Sequence, residues 1–95
     1  MYGTVMVGRL TVPVEEVEAV VAAWEADKGA RIEGYVDQSV LAGDDGATVV
    51  ACIRFRDRDS YARLAGDPEQ DAWWSSSMAP LFEGDVMWVD GTWRS

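Results

Sequence analysis

Histidine and asparagine are both missing from this 95-residue chain, and cysteine occurs once. Without histidine there is no side chain whose ordinary pKa lies near neutrality, which removes the commonest general base and the commonest metal ligand. Cys52 stands alone in the apolar run Val49-Val50-Ala51-Cys52-Ile53, so neither an intrachain disulfide nor an ordinary zinc site can be built. Positive charge is also scarce. Eight Lys and Arg face seventeen Asp and Glu, a formal charge of −9. Phosphate backbones and anionic lipid surfaces are repelled by such a field, so neither nucleic acid nor membrane is expected as a partner. The acidic surplus itself reads as a solvated surface. No apolar run approaches the ~20 residues of a membrane span. Met1-Tyr2-Gly3-Thr4 lacks the basic flank and cleavage pattern of a signal peptide, and the expected location is the cytoplasm.

What is present is enough for a core. Hydrophobic residues make up 48% of the chain and there are five tryptophans. One domain, 1–95, is expected, burying about 60–65% of its unfolded surface. The segment 2–12 (YGTVMVGRLTV) is rich in β-branched residues and reads as a strand ended by Pro13. In the segment that follows, Val14, Val17, Val20, Val21 and Trp24 recur at helical spacing, with Glu15, Glu18 and Glu25 on the other side. Pro13 suits the start of that helix, Lys28 its last turn and Gly29 its C-terminal cap. Residues 34–42 and 48–56 read as strands joined by the turn Gly43-Asp44-Asp45-Gly46. Asp57 or Asp59 caps a short helix through Leu64, and Gly66 breaks it. Asp67-Pro68-Glu69-Gln70 then restarts a helix with an Asp cap, a first-turn proline and Gln70 at the capping-box position. Gly84 ends that helix and residues 85–93 form the last strand. The order β-α-β-β-α-β is the split βαβ, ferredoxin-like plan of an α+β protein.

The strands alternate only weakly. Val5, Met6 and Val7, and Val49 to Ile53, are apolar on both faces. The helices can cover one face of a four-stranded sheet, and the other needs a cover. A second copy of the chain is the economical cover, so a homodimer packed sheet against sheet is expected.

The phrases GRLTV after the first strand, RIEGYVDQSVL at the second, VVACIRFRDRDSYARLAGDPEQDAWW from the third strand into the helices, and APLFEGDVMW at the end carry a family likeness. With the order of elements they make the chain resemble, over nearly its whole length, the dimeric α+β barrel superfamily and its antibiotic biosynthesis monooxygenase (ABM)-like group. The resemblance implies that two ferredoxin-like protomers form a dimeric barrel, with a ligand cavity between each sheet and its helices. Members of this group include cofactor-independent oxygenases of aromatic polyketides, haem-degrading enzymes and quinol oxygenases. The haem-degrading motif of an Asn, a Trp and an axial His falls here on Gly8, Leu64 and Trp74, and all three are replaced. Haem iron needs an axial side chain, and the remaining candidates, Tyr61 and Met78, are non-standard. Haem degradation is disfavoured, and no cofactor or metal is expected.

The stretch Ala72 to Phe82 (AWWSSSMAPLF) holds the densest candidate chemistry. Trp74, Met78, Leu81 and Phe82 form an apolar stripe, while Ser75, Ser76 and Ala79 lie opposite. No serine has a histidine or a nucleophile elbow, so the serines read as surface. Pro80 frees the carbonyl of Ser76 and bends or ends the helix. Trp74 reads as core and Trp73 as a border aromatic, able to line a cavity or simply to pack. Arg9 and Arg54 sit in apolar strands, where each needs an ion pair, an exit to an edge or an anionic ligand. Tyr35 and Gln38 on the second strand and Tyr61 on the short helix can hydrogen-bond in the implied cavity. Asp37 is the candidate general base, since a desolvated carboxylate has a raised pKa. The function the resemblance implies is cofactor-independent monooxygenation of a hydrophobic, aromatic, polyketide-like molecule. Arg54, Tyr61 and Asp37 would be catalytic, and Trp73, Trp74, Tyr35 and Gln38 would bind substrate. The alternative is a ligand-binding or structural homodimer without catalysis, signalled by a cavity filled by Trp73, Met6 and Met78.

Overall fold

A computed structural model describes residues 1–94; Ser95, the last residue of the expected domain, lies outside the described residues. The elements run β1 (Tyr2–Arg9), α1 (Val14–Asp27), β2 (Tyr35–Ala42), β3 (Thr48–Phe55), α2 (Arg58–Ala65), α3 (Pro68–Trp73) and β4 (Met87–Thr92). The four strands form one antiparallel sheet in the order β2-β3-β1-β4. This is the expected α+β ferredoxin-like protomer. Among the described residues no helix is long and apolar enough to cross a membrane.

β1 is shorter than its β-branched run. Arg9 pairs with Thr48, the first residue of β3, and beyond it the chain turns to the segment after α3. There Glu83 N–H donates to the Arg9 carbonyl (2.8 Å) and Thr11 N–H to that of Leu81 (3.0 Å). α1 follows its valine spacing. Val17 and Trp24 are buried, with Val14, Val20 and Val21 packed beside the core. Its end differs from expectation: Lys28 is the cap, donating to the Trp24 carbonyl, and Gly29 opens a short 3₁₀ turn. Asp57 caps α2 by accepting from Ser60 N–H, and Asp67 caps α3 by accepting from Glu69 N–H.

The last helix is not one regular helix. α3 ends at Trp73, a π-helical turn spans Trp74–Met78, and a 3₁₀ turn covers Ala79–Leu81. Pro80 has no N–H to give the Ser76 carbonyl, so the α ladder cannot continue, and the wider turn relieves the clash that its ring would make.

Strand parity sorts the sheet into two faces. Met6, Val49, Ala51 and Phe55 point toward the helices and join Val17, Met78 and Phe82 in burial. Gly8 belongs to this face because Phe82 and Val86 occupy the space that a side chain would need. The opposite face carries Val7, which pairs with Val50 and Met87, while Val50 pairs in turn with Leu41. That row crosses all four strands, and among the described residues no helix or strand lies over it.

Candidate functional site

Between the helices and the inner face of the sheet lies a cavity of about 500 Å³. Its floor is Thr4, Met6, Ala51 and Ile53, with Gln38 from β2 and Trp88 and Asp90 from β4. Trp24 of α1, Tyr61 and Leu64 of α2, Gln70 and Trp73 of α3, and Trp74 and Met78 of the π turn wall it from above. Met6, Trp73 and Met78 therefore line this space and do not fill it.

The adjacent tryptophans separate as two bulky neighbours must. Trp73 packs on Trp24 with ring centroids 5.8 Å apart. Trp74 stacks on Phe82 at 6.1 Å and meets Trp88 edge to face at 4.9 Å. Both are half-buried, so neither is purely core. Trp24 is fixed in turn, because its Nε1–H donates to Gln70 Oε1 at 3.0 Å. Gln70, expected to close a capping box, instead reaches from α3 across to α1. The serines behave as surface at Ser75 and Ser76, which are exposed, whereas Ser77 is half-buried.

One polar pair stands at the cavity wall. The Tyr61 hydroxyl donates to Asp90 Oδ1 at 2.9 Å, and Thr4 Oγ1 beside it donates to the Val89 carbonyl at 3.3 Å. Burial, and then the hydrogen bond to Asp90, push the Tyr61 phenol up to about 12. Tyr61 therefore holds its proton at neutral pH and serves as a donor, with the Asp90 carboxylate behind it as acceptor.

Two of the expected catalytic residues lie elsewhere. Arg54 alternates along β3 with Ile53 and Phe55, which face the helices, so its side chain leaves from the opposite face. Asp37 is its cross-strand partner, and Arg54 donates to Asp37 Oδ1 at 2.7 Å while its guanidinium lies 5.2 Å from the Trp93 ring centroid. The anchor and the base read from the sequence are thus partners in an ion pair outside the cavity. Arg9, 3.8 Å from Glu83, is exposed at the sheet's end. Tyr35 is also outside the cavity lining. Its hydroxyl donates to Glu25 and its ring meets Trp24 edge-on at 5.2 Å. Burial and the Glu25 carboxylate raise its pKa, so it stays neutral. Tyr61, Gln38, Trp73 and Trp74 line the cavity.

Sequence reasoning missed Trp88 and Asp90. Their signal was the alternation Met87-Trp88-Val89-Asp90. Register settles it, since Trp88 pairs with Met6 and Asp90 with Thr4, both inward-facing.

No known family profile matches the chain, and no curated protein matches it by sequence. Solved structures do match by shape. A variant of SnoaB, described as a cofactor-independent oxygenase from Streptomyces nogalater, superposes with a TM-score of 0.80 at 22% identity, covering 99% of this chain and 93% of that one. The monooxygenase from the gene ActVA-Orf6 of Streptomyces coelicolor, in complex with nanaomycin D, gives 0.74 at 16% identity, covering 99% and 88%. A protein of unknown function from Bacteroides fragilis, described as dimeric with a ferredoxin-like fold, gives 0.60 at 21% identity, covering 94% and 92%. The chain has the ferredoxin-like fold of these structures, with the cavity between its helices and the inner face of its sheet.

Proposed function

We propose that the chain is an ABM-like monooxygenase that oxidises a hydrophobic aromatic molecule bound in this cavity, without a cofactor. The observation that carries the reading is the aromatic cavity of about 500 Å³ with the Tyr61–Asp90 hydrogen bond at its wall. A planar polycyclic ligand suits a space walled by indole rings, which favour offset-stacked and edge-to-face contacts. The described relatives of SnoaB and ActVA-Orf6 type support it through their fold.

The chemistry asks little of the protein. An anthrone or phenol loses a proton, and the electron-rich anion gives up electrons to O₂. A C–O bond forms, and the resulting peroxide collapses to a carbonyl and water, so that one O₂ and two substrate hydrogens yield a quinone and one water. The protein excludes water, orients the ring and takes the proton. Asp90 replaces Asp37 as the base, receiving the proton through the Tyr61 hydroxyl, which passes its own proton to Asp90 as it accepts the substrate's. Gln38, whose amide carries N–H donors, is the residue that faces the developing oxyanion.

The same reading includes a homodimer. Leu41, Met87 and Val89 on the outer face are 61%, 58% and 55% exposed in the protomer. Trp93 Nε1, on this face beside Gly3, is buried among the described residues without a hydrogen-bond partner. A second sheet would cover the apolar rows, and the ligand would then be held in a cavity backed by a double layer.

Anthrone oxidation, followed as anthraquinone formation under air and under argon, tests the function. Oxygen-dependent turnover above the protein-free rate is expected. Saturable binding without turnover would instead favour the non-catalytic ligand-binding dimer.

A further inference from the structure

We infer that the cavity selects aromatic ligands by charge, favouring those that carry an ammonium group and rejecting those that carry a carboxylate; this rests on reading the cavity as an aromatic-ligand site. Two observations meet there. Its walls present the rings of Trp24, Phe55, Tyr61, Trp73, Trp74 and Trp88. Ring faces attract organic cations placed within about 6 Å of their centroids, indole most strongly. The charged side chains of the lining are Asp71 and Asp90, with no Lys or Arg among them. Most of the arginines are engaged elsewhere: Arg9 with Glu83, Arg31 with Asp27, Arg54 with Asp37, and Arg56 with Glu33 and Asp57.

A carboxylated ligand would meet two like charges and no guanidinium fork, the group that ordinarily grips a carboxylate. An ammonium meets the reverse: two exposed carboxylates in the lining and a negative quadrupole on the ring faces. The overall charge of −9 draws cations toward the protein at long range in the same sense. The ligand's ammonium would have a second effect. Deprotonating the substrate creates an anion in a site whose own residues supply no cation, and a positive group on the ligand balances it.

Quenching of tryptophan emission by three matched probes tests the charge rule: 9-methylanthracene, 9-(aminomethyl)anthracene and anthracene-9-carboxylate. The ammonium probe should bind at least about tenfold more tightly than the carboxylate probe at low salt, with the neutral probe between them. High salt should narrow the spread. The double variant Asp71→Asn/Asp90→Asn should compress it to within about threefold, since both side chains are exposed and an amide oxygen still accepts from Tyr61. Asp44→Asn, in the turn between β2 and β3, should leave it unchanged and so separates the cavity's charge from the whole protein's. A flat or reversed order, or a spread that survives the double variant, overturns the charge rule while binding of the neutral probe upholds the aromatic site. Failure of all three probes to bind overturns both.

Discussion

Tyr61 and Asp90 form a unit that geometry, more than residue type, brings together. The hydroxyl is donated to the carboxylate at 2.9 Å, and the phenol's pKa of about 12 keeps it protonated throughout the neutral range. Tyr61→Phe keeps the ring but removes the proton link, so anthrone turnover should fall about 10²-fold while ligand binding changes little. A pH–rate profile of the wild type should show no loss attributable to Tyr61 below about pH 11, because the acid form persists up to its raised pKa. The two tryptophans should part company as well. Trp74 stacks on Phe82 and abuts Trp88, tying the π turn to the core and to β4, so Trp74→Ala should cost about 3 kcal/mol in stability. Trp73 rests on Trp24 alone among the aromatic rings, so Trp73→Ala should cost less and weaken aromatic-ligand binding more. Melts and titrations of both variants decide this, and a lower melting point for Trp73→Ala would reverse the assignment. Trp73 and Trp74 were legible because they stand together in the stretch Ala72–Phe82, whereas Trp24, Phe55 and Trp88 join the same cavity from other elements. The ionic part of the site was not legible. Arg54 and Asp37 were read by chemical type; parity sends Arg54 to the wrong face, and the register shift between Tyr35 and Asp37 sets Asp37 beside it. Phe55 beside Arg54 held the needed clue, since a strand cannot turn two neighbours inward.

The starts of α2 and α3 and the β2–β3 turn rest on aspartates. Asp57 accepts from Ser60 N–H at 2.8 Å at the head of α2, and that bond above all lowers its pKa to about 2. Asp45 accepts from the Thr48 hydroxyl and from the N–H groups of Ala47 and Thr48 in the β2–β3 turn, which lowers it to about 2. Both folded values lie below those of an unfolded aspartate. Their contribution to stability is therefore present above about pH 4 and is lost as the pH falls through about 2. Melting temperature should decline across that window. Asp57→Asn keeps a capping acceptor but cannot titrate, so its decline should be shallower, and identical pH profiles would remove Asp57 from the account. α1 and the Asp67 cap were readable, and the α2 cap was narrowed to Asp57 or Asp59, because each depends on neighbours in sequence. The π turn was not, although Pro80 announced a break. Where the ladder gives way depends on how Trp74 and Met78 seat against the sheet, which is tertiary. Gln70 makes the same point: its sequence position suits a capping box, yet its oxygen accepts from Trp24 of another helix.

A four-stranded sheet with helices on one side leaves its other side to be explained. Here that side is apolar in two rows: Leu41, Val50, Val7 and Met87, then Cys52, Val5 and Val89 with Ser39 at the edge. Alternating polar residues would have made the face self-sufficient in water, and the two-sided apolarity of β1 and β3 is what made a second copy the expectation from sequence. Charge on this face is confined to its ends, at Arg9 beside Glu83 and at Arg54 beside Asp37. A partner sheet can thus approach the middle without burying an unpaired ion, whose desolvation would oppose association. Val7 lies near the centre, flanked by Val50 and Met87 and half-buried already. Val7→Asp places a carboxylate there, and in a dimer it would be buried against an apolar surface with no cation to meet it. Sedimentation of the wild type at micromolar concentration should give twice the mass of the 10.4 kDa chain, and Val7→Asp should give the single mass. Because the substitution points away from the cavity, the variant should still bind 9-methylanthracene if it folds, as its circular dichroism would report. A wild type that sediments as one chain would remove the second sheet from the function proposed here, and the apolar rows would then need another cover.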